Sequence, residues 1–208
     1  AAHPDDEVLG MGGTIKKLVK QQNKIHLCVV SEGASAQYDD KKMIKIRKEA
    51  CLKSGKILGI STYTFLNFQD MKLDSIPQLE INIELEKIIK KLKPKVVYTT
   101  PSNDLNKDHQ KVFESTLVVS RAHGNSVKEV LSYEIPAIIK FAFTPTVYED
   151  IHKEFPTKIK AFKQYKTEIM KFPHPRSIEA IETLSKFRGM ESGLIRAEGF
   201  QLIKKIQS

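Results

Sequence analysis

Apolar and polar positions along the chain fall into two alternating rhythms. Short runs rich in β-branched and aromatic residues read as strands: "KIHLCVVS" (25–32), "STYTFLNF" (61–68), "PKVVYTT" (94–100), "EVLSYEI" (129–135) and "TPTVYEDI" (144–151). Between them, apolar residues recur at helical spacing over about 8–22, 41–58, 77–92 and 107–121. This alternation predicts an α/β, Rossmann-like three-layer fold, with a mainly parallel sheet covered by helices on both faces. After about residue 151 the pattern turns helical: "HKEFPTKIKAFKQYKTEIMKF" runs to Pro173, and a second helix covers about 177–188. No linker rich in Gly, Ser or Pro and no repeat interrupts the chain. One domain over 1–208 is therefore expected, with a helical C-terminal segment at about 151–208. The opening "AA" reads as the end of a first strand whose apolar start lies upstream.

Composition narrows the function classes. With 40% hydrophobic and 28% charged residues over 208 positions, the chain suits an ordinary water-soluble domain rather than a disordered one. No apolar run approaches the ~20 residues of a membrane span, and no secretory signal is visible, so a cytoplasmic location is expected. Cys28 and Cys51 belong to no C-x-x-C pair, which argues against a thiolate zinc site and for two buried free thiols. The net charge of +9 comes mostly from lysines scattered over amphipathic segments such as "IIKKLKPK". Without an RNP-like aromatic motif or zinc-finger spacing, this points away from nucleic acid and towards solvated helix faces or a small anionic substrate.

The chemistry begins at the start of the chain, in "AAHPDDEVLGMGG". His3 and Asp6 lie three apart in a turn that leaves a strand, so their side chains can converge. An imidazole nitrogen and a carboxylate oxygen suit Zn²⁺ or another divalent metal, with Fe²⁺ also compatible. Asp5 stands beside them as a carboxylate free to accept a proton from an attacking water. Glu7 opens the helix, where its charge favours the positive end of the dipole. Simple helix capping by "DDE" is the competing explanation. "GMGG" does not match G-x-G-x-x-G, and the acidic residues would repel a pyrophosphate.

A second piece, "TTPSNDLNKDHQKVF" (99–113), follows the strand "PKVVYTT" and so reaches the same carboxyl edge of the sheet. His109 is the natural third metal ligand. Asp108 can buttress a neighbouring group, and Asp104 can hold the loop backbone.

Together, "AHPDDE" (2–7), the "RKEA…LG" stretch (47–59) and "PSNDLNKDH" (101–109) resemble the PIG-L/LmbE-like family of zinc-dependent deacetylases. The resemblance spans most of the first 150 residues. It implies His3, Asp6 and His109 as zinc ligands and Asp5 as general base. The implied reaction is hydrolysis of an N-acetyl group by zinc-activated water, with Arg47 near the substrate. Many members carry H-x-D-H where this chain has Asn106 ahead of Asp108 and His109. Asparagine donates a hydrogen bond but carries no proton at neutral pH. The oxyanion or acid role then falls to Asn106 or to another histidine, for which His174 in "FPHPRS" (172–177) is the candidate. Arg176 and Arg188 are candidate substrate contacts. His26, His123 and His152 have no comparable context.

The leading expectation is thus removal of an N-acetyl group from an amino sugar or its nucleotide, lipid or other conjugate, phosphorylated substrates included. The alternatives are hydrolysis of a non-sugar amide, and a non-catalytic zinc- and sugar-binding module on the same fold. The C-terminal helices offer a surface for a homo-oligomer.

Overall fold

The computed structural model describes residues 1–38, 42–136 and 140–207. Helix α1 (Asp6–Lys20) leads to strand β1 (His26–Ser31), helix α2 (Lys42–Leu58) and strand β2 (Thr62–Phe68). Helix α3 (Gln78–Leu92), strand β3 (Val96–Thr99), helix α4 (Lys107–Val119) and strand β4 (Glu129–Tyr133) follow. Strand β5 (Val147–Asp150), helices α5 (Phe155–Phe162) and α6 (Ile178–Ser192), and strand β6 (Ala197–Lys205) complete the order. The helix expected from about 41 is α2; position 41 itself lies outside the described residues.

The strand–helix alternation holds, but the strands form two sheets, a two-stranded parallel one and a four-stranded mixed one, rather than one mainly parallel sheet. β1 and β2 pair in parallel, and so do β3 and β4. β6 then inserts between β4 and β5 and runs antiparallel to both, giving the order β3-β4-β6-β5. The C-terminal segment is therefore not wholly helical. Helix α5 is also far shorter than the stretch expected to reach Pro173, whereas α6 runs beyond 188 to Ser192. Strand β6 escaped notice because its pairing partners lie about fifty or more residues upstream, and half of "AEGFQLIKK" is buried without alternation. At the other end, Ala1 and Ala2 lie strand-like beside β1. Val30 N donates to Ala1 O at 3.1 Å, Ser31 N to Ala2 O at 2.8 Å, and the Ala1 amine to Cys28 O at 2.9 Å.

The core explains how the first turn is held in place. Helix α1 packs with α5 and the sheet around Leu9, Val29, Leu58, Tyr133, Phe162 and Phe200, all essentially buried. Each such side chain contributes roughly 1.5–3 kcal/mol relative to exposure. Gly10 lets the helix touch the sheet: a Cβ there would stand 2.3 Å from the Tyr133 ring. The helix breaks at Met11 (φ −145°, ψ 25°), which strands backbone groups in the interior. Two buried charges meet them. Glu198 on β6 accepts from Gly13 N at 2.9 Å and Thr14 N at 2.7 Å. Lys158 on α5 donates to Leu9 O at 2.8 Å and to Glu198 at 2.6 Å. The pair is satisfied at both ends, the condition under which buried charge is tolerated.

Candidate active site

The candidate residues gather where the parallel strands end. Ala1–Ala2 run into His3–Glu7, β1 into Glu32–Gly33, β2 into Asp70, and β3 into the loop 100–109. This is the edge at which open α/β sheets bind ligands.

The turn His3–Glu7 is fixed by its own carboxylates. Asp6 Oδ2 accepts from His3 N at 2.8 Å, and Glu7 Oε2 accepts from Asp5 N at 3.1 Å. Asp5 sits at φ 119°, a conformation that costs a non-glycine residue on the order of 1–3 kcal/mol. The surroundings hold it there. Arg47, buried on α2, donates to Pro4 O at 3.0 Å and also to Gly33 O. Gly33, at φ 66°, lies so close that a Cβ would stand 2.5 Å from Pro4 Cδ. Only glycine meets both demands at that position.

Three side chains converge beyond this turn. His3 Nδ1 and His109 Nε2 face each other at 3.2 Å, His109 Nε2 lies 3.4 Å from Asp6 Oδ1, and His3 Nδ1 lies 3.6 Å from Asp6 Oδ2. Asp6 Oδ1 is buried without a hydrogen-bond partner. Metal–nitrogen bonds of 2.0–2.1 Å in a tetrahedral site place two ligand nitrogens roughly 3.3 Å apart, close to these separations. His3, Asp6 and His109 therefore form a donor set that fits a divalent cation.

The outer partners match that role. His109 Nδ1 meets Asp104 Oδ2 at 2.7 Å, and the other Asp104 oxygen accepts from Asn106 N at 2.8 Å. His3 Nε2 meets Asp108 Oδ2 at 3.0 Å and Asp70 Oδ1 at 3.3 Å. Asp108 is itself fixed by Met71 N and Leu73 N at 2.9 and 3.0 Å. Carboxylates behind both imidazoles are the usual support of histidine ligands.

The electrostatics agree. Burial alone would lower His3, yet hydrogen bonds and charge from Asp108, Asp6 and Asp70 outweigh it and push its pKa up to about 10. Burial would likewise raise Asp6, but His109 and His3 hold its carboxyl well below the usual range. Four carboxylates around two imidazoles leave a surplus of negative charge, which a proton or a metal cation must offset.

Asp5 is different. Its side chain is fully buried, and neither carboxylate oxygen has a hydrogen-bond partner. Burial raises its pKa, although Arg176 and Arg47 act in the opposite direction. Arg47 and Arg176 stand 3.5 and 3.6 Å from Asp5 Oδ2. Buried Glu168 holds both arginines, at 3.5 Å from Arg47 and 2.7 Å from Arg176.

The structure thus brings together His3, Asp5, Asp6, Arg47, Asp108, His109 and Arg176. Asn106 caps α4, its Oδ1 accepting from Asp108 N at 2.9 Å. His174 is exposed, and its Nδ1 accepts from Arg176 N at 3.0 Å. Arg188 is engaged by Glu134 and Glu191 rather than by Asp5. Two participants went unread in the sequence. Asp70 carried a usable signal, since "NFQD" leaves β2 at the same edge as the loop of His109. Glu168 carried none, because it arrives from the turn after α5.

The comparisons with known proteins decide the family. Residues 1–120, more than half of the chain, match the family described as GlcNAc-PI de-N-acetylase, PIG-L. This chain belongs to the PIG-L family. It is 31% identical over 175 residues to the uncharacterized deacetylase YaiS of Escherichia coli K12, covering 80% of this chain and 88% of that protein. The PIG-L fold is confirmed by the N,N'-diacetylchitobiose deacetylase of Pyrococcus horikoshii, with a TM-score of 0.83 at 22% identity over 98% of this chain and 81% of that one. The 4-carboxy-2-hydroxymuconate hydratase GalB of Pseudomonas putida KT2440 shares it too, with a TM-score of 0.82 at 19% identity over 100% and 95%. One fold therefore carries both deacetylation and hydration, and the choice between them rests on the site. Among the described residues no helix is long and apolar enough to cross a membrane.

Proposed function

We propose that this PIG-L protein is a metal-dependent hydrolase that removes the N-acetyl group of an amino sugar or of its nucleotide, lipid or other conjugate. The observation that carries the reading is the buried Asp5 carboxylate, flanked by two arginines but without a hydrogen-bond partner, beside the His3–Asp6–His109 cluster. The relatives named deacetylases support it. His3, Asp6 and His109 would hold Zn²⁺, with Fe²⁺ also fitting the donor set. The cation supplies a Lewis acid for the acetyl carbonyl and makes water nucleophilic near neutral pH.

Asp5 takes a proton from the attacking water on its carboxylate and returns it to the departing amine. Neither of its oxygens is committed to a hydrogen bond, and Oδ2 faces the Arg47 and Arg176 guanidinium groups. Asp104 and Asp108 keep the two imidazoles oriented. Arg47 fixes the strained turn through Pro4 O, and Arg176, with a quarter of its side chain exposed, is the cation that reaches substrate. Asn106 uses its oxygen as a helix cap, which leaves its amide N–H₂ as a neutral donor for the oxyanion.

The test loads the protein with Zn²⁺ or Fe²⁺ and measures free amine released from a panel of N-acetyl sugars and non-sugar N-acetyl amides. Asp5→Asn is expected to keep the metal and lose 10²–10⁴-fold in kcat. Undiminished turnover in that variant, or a metal-loaded wild type that cleaves no N-acetyl sugar, would refute the proposal.

A further inference from the structure

Cations without a carboxylate partner among the described residues gather at the amino ends of the strands, the edge opposite the candidate active site. β3 and β4 begin there, β6 ends there, and α3 and α4 run back to it. Lys91 and Lys93 stand at the end of α3, Lys95 just ahead of β3, and Lys128 just ahead of β4. Arg121 follows α4, and Lys204 is near the end of β6. Backbone bonds set three of these segments side by side: Lys128 N donates to Lys95 O, and Ile206 N to Lys128 O, both at 2.8 Å. Lys204 Nζ donates to Ser120 O at the end of α4. Burial and the Lys128 charge push the Lys204 ammonium below its usual pKa, so the two cations act on each other. The nearby carboxylates are already taken by two further lysines: Glu86 by Lys90 at 3.1 Å, and Glu129 by Lys205 at 3.3 Å. The edge therefore carries an uncompensated positive field, which an anionic partner would neutralise.

The apolar side chains on this edge narrow the kind of anion. Leu92 and Val96 lie between the cations and are 40% and 43% exposed. Beside them a cavity of about 150 Å³ opens between α3 and the turn after α4, with Leu79, Ile83 and Val118 in its walls together with Arg121 and His123. Cations set around apolar walls suit an amphiphile: anionic headgroups meet the ammonium and guanidinium groups, and the alkyl side chains reach the acyl boundary. Nucleic acid fits less well. Single strands bind on aromatic platforms, and the exposed phenylalanines, Phe141, Phe172 and Phe187, belong to other parts of the chain.

We infer that the amino edge of the sheet is a docking surface for an anionic lipid bilayer. Strand β3, at about 3.3 Å per residue, holds this edge roughly 13 Å from the loop of His109. The candidate active site then faces away from the lipid and takes substrate from the aqueous side. The docking requires neither a metal nor a reaction at that site.

The experiment is sedimentation of the full chain with vesicles of one part phosphatidylglycerol to three parts phosphatidylcholine, at about 0.15 M salt, where charge acts over ~8 Å. The wild type is expected to bind these vesicles, to leave pure phosphatidylcholine vesicles unbound, and to be released as salt approaches about 1 M. Each cation near an anionic surface is worth about fivefold in partitioning, so Lys91→Gln/Lys93→Gln and Lys95→Gln/Lys128→Gln should each weaken binding about 30-fold. Lys153→Gln/Lys160→Gln removes the same charge from the α5 region and should leave binding close to that of the wild type. All six lysines are exposed, and circular dichroism checks each fold; either edge pair suffices if the other does not fold. No binding of the wild type to the anionic vesicles, or equal binding to both vesicle types, overturns the inference. An equal loss in the α5 control also overturns it, because net charge rather than this edge would then be the cause. Tighter binding to a single-stranded RNA oligonucleotide than to the vesicles, in the same buffer, makes the edge a nucleic-acid surface and overturns the lipid assignment.

Discussion

Asp104→Asn tests whether the carboxylate behind His109 tunes a metal site. Asp104 makes two contacts: Oδ2 meets His109 Nδ1 at 2.7 Å, and Oδ1 accepts from Asn106 N at 2.8 Å. Asparagine has the same shape but only one acceptor oxygen and no charge. If that oxygen faces His109, the charge-assisted bond becomes a neutral one; if it faces Asn106, the imidazole N–H meets an amide N–H. A charge-assisted hydrogen bond contributes roughly 1.5–3 kcal/mol and a neutral one about 1 kcal/mol. The difference of about 0.5–2 kcal/mol corresponds to about 2–30-fold in affinity. That range overlaps the 10–100-fold typical of carboxylates supporting histidine ligands. The assay is competition for Zn²⁺ against a chromophoric chelator at fixed pH, with circular dichroism to confirm the fold. His109→Ala serves as the reference, because it removes the ligand itself and should abolish tight binding. A folded Asp104→Asn protein that binds Zn²⁺ as tightly as the wild type would refute the reasoning.

Two further outcomes concern stability. Gly10→Ala drives a methyl to within 2.3 Å of the Tyr133 ring, and urea unfolding should show a loss of 1–3 kcal/mol, roughly, as overpacked cores do; an unchanged midpoint would mean that α1 does not press on β4 as described. Burial lifts the Glu7 carboxyl to about 7, outweighing its bond from Tyr165, so the folded protein holds a proton that the unfolded chain gives up near 4.5. Glu7 therefore costs stability as pH rises from about 4.5 through 7. Glu7→Gln should gain on the wild type by a few kcal/mol across that window, and parallel stability–pH curves for the two proteins would contradict this.

The His3–Asp6–His109 cluster was legible in part because two of its three residues are local. His3 and Asp6 share one turn, and their spacing alone brings them together. His109 could be joined to them because its loop follows a strand, and parallel strands deliver their following loops to one edge. The same rule would have found Asp70. It says nothing of Arg176 or Glu168, which reach Asp5 from an irregular stretch between α5 and α6 with no periodicity to read.

What the sequence determined by itself is what near neighbours in the chain decide: the strand–helix alternation, the acidic turn at the start of α1, and the motifs that carry the family. The tertiary structure decided what depends on long-range pairing. It turned "AEGFQLIKK" into the strand between β4 and β5, because backbone groups buried at that position must find partners, whatever the local pattern favours. It also set Asp5 apart from Asp6. The two are identical residues side by side, yet one side chain turns into the imidazole cluster, and the other is left buried between two arginines without a hydrogen bond. No spacing rule separates them, because the difference is made by the low-dielectric surroundings that the folded chain builds around each carboxylate.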